Sequence, residues 1–157
     1  DKEEDRAQHI RALDAQTAAT SLLDAWATSD EAKSGERYLE AINGRTVGNS
    51  RVQVWGWSGL ASRLQSALER DSNNADYRAR HLTARYNVVR CRRLYALAQK
   101  SKSTRQFELE KARRGIEVIT ALHADMSDQW WSRFDELFQS VLKDMGRQPL
   151  KLKRLGR

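Results

Sequence analysis

Apolar positions recur along this chain at intervals of three and four residues, the spacing of one helix face, through most of its length. From Glu3 to about Ser29, Ile10, Leu13, Leu22, Leu23 and Trp26 follow that spacing in an Ala-rich stretch without Pro, which predicts one long helix. Tyr38, Leu39 and Ile42 share a face of a shorter segment, Glu31 to Asn43. Gly44 ends it because glycine tolerates positive φ, and 44–49 is then a loop. Arg51 to Trp57 alternates like a strand, yet Val52, Trp55, Leu60, Leu64, Ala67 and Leu68 continue at helical spacing. A helix is therefore expected there, with Ser50 as its N-cap.

After the polar break Asp71 to Asn74, residues Ala75 to about Gln99 carry two apolar rows. Tyr77, His81, Ala84, Val88, Cys91, Tyr95 and Ala98 line one face, and Leu82, Tyr86, Val89 and Leu97 another. Arg78, Arg85 and Arg92 run seven residues apart between them. A helix gripped on two sides is an inner element of a stacked helical array. Thr104 to His123 follows, with Phe107, Ala112, Ile116, Ile119 and Leu122 as its apolar set, and close helix packing as the reason for Gly115. The final helix puts Trp130, Phe134, Leu137, Phe138, Val141, Leu142 and Met145 on one broad face. It starts near Ser127 or Asp128 and ends at Gly146 and Pro149. The expected fold is all-α, about six helices in stacked antiparallel pairs within one domain. N-terminal helices and a loop occupy 1–49, repeat-like helices 50–146 and a basic tail 147–157.

Composition qualifies this picture. Leu, Ile, Val and Phe make up just under a fifth of the 157 residues, which beside a net charge of +7 borders on disordered chains. Trp, Tyr and Ala lift the apolar share to 39%, so small contacts, aromatic bulk and Arg stems take the place of aliphatic side chains. The charge is also unevenly divided: 1–76 holds 9 basic and 13 acidic residues, net −4, while 77–157 holds 19 and 8, net +11. Tyr77 to Phe107 contains nine basic residues and no acidic one. Such a field suits nucleic acid, an acidic protein surface or anionic lipid alike. The alternative is internal, with arginines that snorkel between helices and pair with the acidic half. No apolar run approaches the roughly 18 residues that span a bilayer, so a soluble chain is expected, with the cytoplasm favoured. Asp1 in place of Met suggests a processed chain or a piece of a longer one.

Candidate chemistry is sparse. His9, His81 and His123 lack metal-ligand spacing, and one Cys excludes an intramolecular disulfide and a Cys-based zinc cluster. Cys91 lies on an apolar stripe and reads as a core thiol. GRTVGNS and WGWSG lack the spacings that cradle phosphate. Asp135 and Glu136 are adjacent and diverge on a helix, so no catalytic set emerges and no cofactor or metal is expected. Adjacent tryptophans cannot all enter one face: Trp55 and Trp130 fit packed faces, leaving Trp57 and Trp131 for an exposed binding edge. Arg78, Arg85, Arg92 and Arg93, with Tyr86 and Tyr95 nearby, are the candidate binding row.

The string ALERDSNNADY, Ala67 to Tyr77, resembles the boundary between consecutive tetratricopeptide repeats, where a small residue closes one helix before an acidic, Asn-rich turn. Leu60, Leu64 and Ala67 stand at its packing positions, and Ser72 replaces the usual turn Pro. Ala112, Ile116, Ile119 and Ala124 repeat the spacing, followed by Trp130 and Leu137 where the next repeat places its leading aromatic and a partner. Ala67 and Ile119 are 52 residues apart, not the family's usual 34, so the repeat is degenerate with elongated helices. VWGWSGLASRL, ARYNVVRCRRLYALA and WWSRFDELFQSVLKDMG also look like the terminal part of such arrays in large bacterial proteins, over roughly 50–150. The resemblance implies a non-enzymatic scaffold whose groove receives a segment of another protein, with the Arg row meeting an acidic motif. The other reading is a nucleic-acid-binding module of a ribonucleoprotein assembly that uses the Arg-rich helix 77–107.

Overall fold

Alanine and unbranched side chains without proline carry the first helix, α1, from Lys2–Ser29. The computed structural model describes residues 2–29, 33–49 and 52–154, so Ser50, the expected N-cap, and Glu31, the expected start of the second helix, lie outside the described residues. Five more helices follow among the described residues: α2 Ser34–Asn43, α3 Gly56–Arg70, α4 Ala75–Leu97, α5 Lys102–Leu122 and α6 Asp128–Asp144. Among the described residues the regular structure is helical except for a hairpin of two short strands. Asn74, Ser101 and Ser127 cap α4, α5 and α6 by accepting from the backbone N–H of Tyr77, Thr104 and Trp130. Each such cap is worth about 1 kcal/mol. None of these helices is long and apolar enough to cross a membrane.

The hairpin corrects the helix expected from Val52. Short strands β1 (Arg45–Thr46) and β2 (Gln53–Val54) pair antiparallel, Arg45 opposite Val54. Gln16 of α1 clasps them: its Nε2 donates to Gln53 O at 3.0 Å and its Oε1 accepts from Trp55 N–H at 3.0 Å. Helix α3 therefore restarts at Gly56, which has φ 70°. That restart sets a new phase in which Trp57, not Trp55, falls in line with Leu60, Ala61, Leu64 and Ala67 of the core.

Two apolar clusters meet on α4. Leu13, Tyr38, Ile42, Trp57, Leu60 and Leu64 pack with its Tyr77, Ala84 and Cys91. Leu109, Ile116, Phe134, Phe138 and Val141 pack with its Leu82, Val89 and Ala96. The two-faced reading of this helix holds except at its end, where Leu97 of one row and Ala98 of the other are exposed as the helix runs out. Gly115 gives α5 its close approach, since a Cβ there would lie 3.3 Å from Val89 Cγ2. Neighbouring helices pack in chain order, and α1 also touches α3, α2 touches α4 and α4 touches α6.

Residues 147–154 of the basic tail lie against the helices. Their backbone folds back along α5 and α6, Leu152 N–H donates to Asp135 Oδ1 at 2.8 Å, and Leu152 packs on the second cluster. Arg154 donates from Nε to Ala124 O at 3.2 Å and from Nη groups to Met126 O and Asp128 Oδ1, both at 2.5 Å.

Candidate functional site

Arg78, Arg85 and Arg92 lie two turns apart on one face of α4, in the seam between the two clusters. The walls of this seam are α3 and α5, which both rest on α4 and scarcely touch each other. At its end Gln65, Leu68, Glu69, Ser72, Arg78 and His123 enclose a hollow of about 210 Å3. Two of the three arginines are paired, but with α5 and the turn after it, not with the acidic first helix. Arg78 bridges to Asp125, and Arg92 Nη1 reaches buried Glu108 at 2.9 Å. The contact between the basic and acidic halves runs instead through Arg80 to Asp14 and Arg90 to Asp24.

Arg85 differs from the other arginines of α4: no carboxylate pairs with it among the described residues, whereas Arg78, Arg80, Arg90, Arg92 and Arg93 each meet one. Two imidazoles stand beside it. His81 is 1% exposed, and its ring lies 5.4 Å from that of His123 at 62°. Its Nδ1 is 3.1 Å from Ala61 O. A carbonyl only accepts, so the proton sits on Nδ1, and Nε2 is an acceptor that nothing satisfies among the described residues. Burial, reinforced by the Arg85 charge and by His123, pushes His81 down to about 4. Burial and the charges of Arg78 and Arg85 lower His123 too, against the pull of Asp125. At neutral pH the seam therefore holds a cation that meets no carboxylate among the described residues, beside two neutral rings.

Protonation of buried His81 gives a pH-dependent stability. An unfolded His titrates near 6.5 and His81 only near 4, so between these values the unfolded chain binds more protons. The stability is complete above pH 6.5 and falls with pH, by about 2 kcal/mol at pH 5 for His81 alone. Urea unfolding at pH 7 and 5 measures this. His81→Gln should flatten the slope, and an equal slope in the variant removes His81 as its source.

The remaining candidates separate from the seam. Arg93 points to α6, where its Nε pairs with Asp144 at 2.5 Å. Trp57, expected at an exposed edge, is 5% exposed and donates from Nε1 to Asp24 Oδ2 at 2.9 Å. Trp55, expected in the core, is half-buried under the Arg63 guanidinium, 3.8 Å from its ring centre. Trp131 is half-buried beneath Arg154. Tyr86 packs edge-on against Phe134 in the second cluster, with Arg133 over its ring. Cys91 is fully buried, and burial with nearby Asp24 pushes its thiol to about 12, so it stays protonated. His9 packs edge-on to Tyr77, and no metal-holding cluster occurs among the described residues.

Sequence reasoning missed Asp24. It is a buried carboxylate in the C-terminal part of α1, and Trp57 and Arg90 both donate to it. No protein-family model matches the chain, and no curated protein or solved structure does either.

Proposed function

We propose that the chain is a non-enzymatic, TPR-like helical scaffold that receives an acidic segment of another protein along the α4 seam, with Arg85 as the engaging cation. The observation that carries this reading is Arg85 itself, a half-buried guanidinium without a carboxylate among the described residues, in a seam whose walls leave its floor open. A carboxylate entering there gains a charge-assisted hydrogen bond and meets no competing acid on Arg85. Packing of each helix on the next and, for α1, α2 and α4, on the next but one supports the repeat-like stacking.

Protein is favoured over nucleic acid because phosphate-backbone binding draws on several free cations at once. In α4 the other arginines are already committed to carboxylates.

The test uses a fluorescein-labelled Asp/Glu-rich peptide and a labelled single-stranded RNA of equal length, titrated with the wild-type chain and Arg85→Glu. The expected result is peptide binding weakened about tenfold or more in the variant, with its circular dichroism unchanged. Peptide binding that ignores Arg85→Glu sinks the seam assignment. Tight RNA binding that falls steeply with salt decides for the nucleic-acid reading instead.

A further inference from the structure

The face of α5 turned away from the core carries apolar side chains that no other helix covers. Phe107, Val118 and Leu122 are 60%, 57% and 74% exposed and fall on one stripe with Lys111 and Arg114. Their core-facing counterparts, Leu109, Ala112 and Ile116, lie on the opposite side. The stripe spans about 22 Å of helix at 1.5 Å per residue. Ala121 links it to a hollow of about 350 Å3 under the tail, with Phe138, Leu150 and Leu152 as apolar walls and Lys151 and Lys153 beside them. Leu150 is itself 60% exposed. Val118 and Leu122, one turn apart, form an exposed apolar pair beside this concavity, while Phe107 lies farther along the stripe under the Lys111 ammonium, 4.2 Å from its ring centre. Exposed apolar surface beside a concavity marks an interaction site.

We propose that this surface docks an acidic amphipathic helix of a second protein, which lays an apolar row on Phe107, Val118 and Leu122 and inserts one bulky side chain into the hollow. Charge selects this occupant. The carboxylates at the edge of the stripe are consumed internally: Glu110 by Arg113, Arg114 and Arg147, and Glu117 by Arg113. Lys151 and Lys153 have no carboxylate among the described residues and are left for the partner. A second copy fits poorly, because antiparallel pairing across the middle of the stripe sets Arg114 against Arg114. Helix-in-groove recognition reads such an apolar row through spaced anchors, and the rim charges set specificity.

The experiment uses a labelled synthetic helical peptide with Leu at i, i+4, i+7 and i+11, one Phe near its end and Glu on the flanks, titrated into the full chain by fluorescence anisotropy. Binding is expected, and Val118→Asp and Leu122→Asp, both at exposed positions, should weaken it about tenfold or more. The pair Lys151→Glu and Lys153→Glu should weaken it and flatten its salt dependence. The loss caused by Leu122→Asp should be the same in an Arg85→Glu background, which separates this surface from the α4 seam. The proposal is overturned if the peptide does not bind, if Leu122→Asp binds equally well, or if a Lys-for-Glu peptide binds as tightly. Sedimentation showing a dimer that Leu122→Asp dissociates, or capture by phosphatidylserine vesicles that Val118→Asp abolishes, assigns the face to another occupant and overturns it too.

Discussion

Asp24→Ala should lower the unfolding free energy by about 3 kcal/mol, because removing one partner of a buried ion pair strands the other. Asp24 is 7% exposed in the C-terminal part of α1, where Trp57 Nε1 donates to it from α3 and Arg90 donates from α4. Arg90 is also held by Asn87 Oδ1 at 3.1 Å, so it cannot leave for solvent without breaking a second contact. One carboxylate thus ties three helices, and its loss leaves an indole N–H without an acceptor and a guanidinium without its counter-charge. Asp24→Asn keeps an acceptor for Trp57 and removes only the charge, so a smaller loss is expected. Replacing both charges, Asp24→Leu with Arg90→Met, should recover much of the loss, since apolar side chains of similar size avoid the desolvation cost. Urea denaturation of the three variants measures the order. A loss under about 1 kcal/mol for Asp24→Ala would falsify the central role given to this carboxylate.

What the residue pattern revealed and what it hid follow from the range of each interaction. The two faces of α4 were readable because Tyr77, Ala84 and Cys91 recur every seven residues, as do Leu82 and Val89, and periodicity reports burial locally. The seam arginines were readable for the same reason, but not their partners. Arg90 lies 66 residues from Asp24 and Arg78 lies 47 from Asp125, and no local spacing encodes such distances. Trp55 and Trp57 exchanged roles because a glycine at positive φ resets the helix phase between them. The available clue was that Trp57 stands three and four residues before Leu60 and Ala61, whereas Trp55 stands five before Leu60. Phe107 and Leu122, grouped with Ala112, Ile116 and Ile119 as one apolar set, face outward because the five-residue step from Phe107 to Ala112 leaves the face and Leu122 lies round the helix from Ile116. The tail looked like a solvated charge run because the carbonyls of Ala124 and Met126, which hold Arg154, are backbone groups that every residue carries.

The glycine between the two tryptophans carries the second large effect. Gly56 starts α3 at φ 70°, and Gly44 ends α2 at φ 81° after its N–H donates to Glu40 O at 2.7 Å. The two residues face each other across the base of the hairpin. A Cβ on Gly56 would lie 2.7 Å from Ile42 O and 2.8 Å from Asn43 C, and one on Gly44 would lie 2.6 Å from Trp55 C. These obstacles are backbone, which cannot turn aside as a flexible side chain does. Left-handed backbone costs a non-glycine residue about 1 to 2 kcal/mol, and forced overlap in a packed region about 1 to 3 more. Gly56→Ala should therefore destabilise the fold by about 3 to 4 kcal/mol, combining those two contributions. Gly48 supplies the control, because its φ of 58° is also left-handed but a Cβ there meets nothing within 4 Å. Gly48→Ala should cost only the conformational part, about 1 to 2 kcal/mol. Thermal and urea unfolding of both variants reads the difference. Equal losses would mean that backbone conformation alone, rather than the close crossing of α2 and α3, keeps glycine at this joint. The larger loss expected at Gly56 would instead trace the placement of Trp57, and through it of Asp24 and Arg90, to the missing Cβ one residue earlier in the chain.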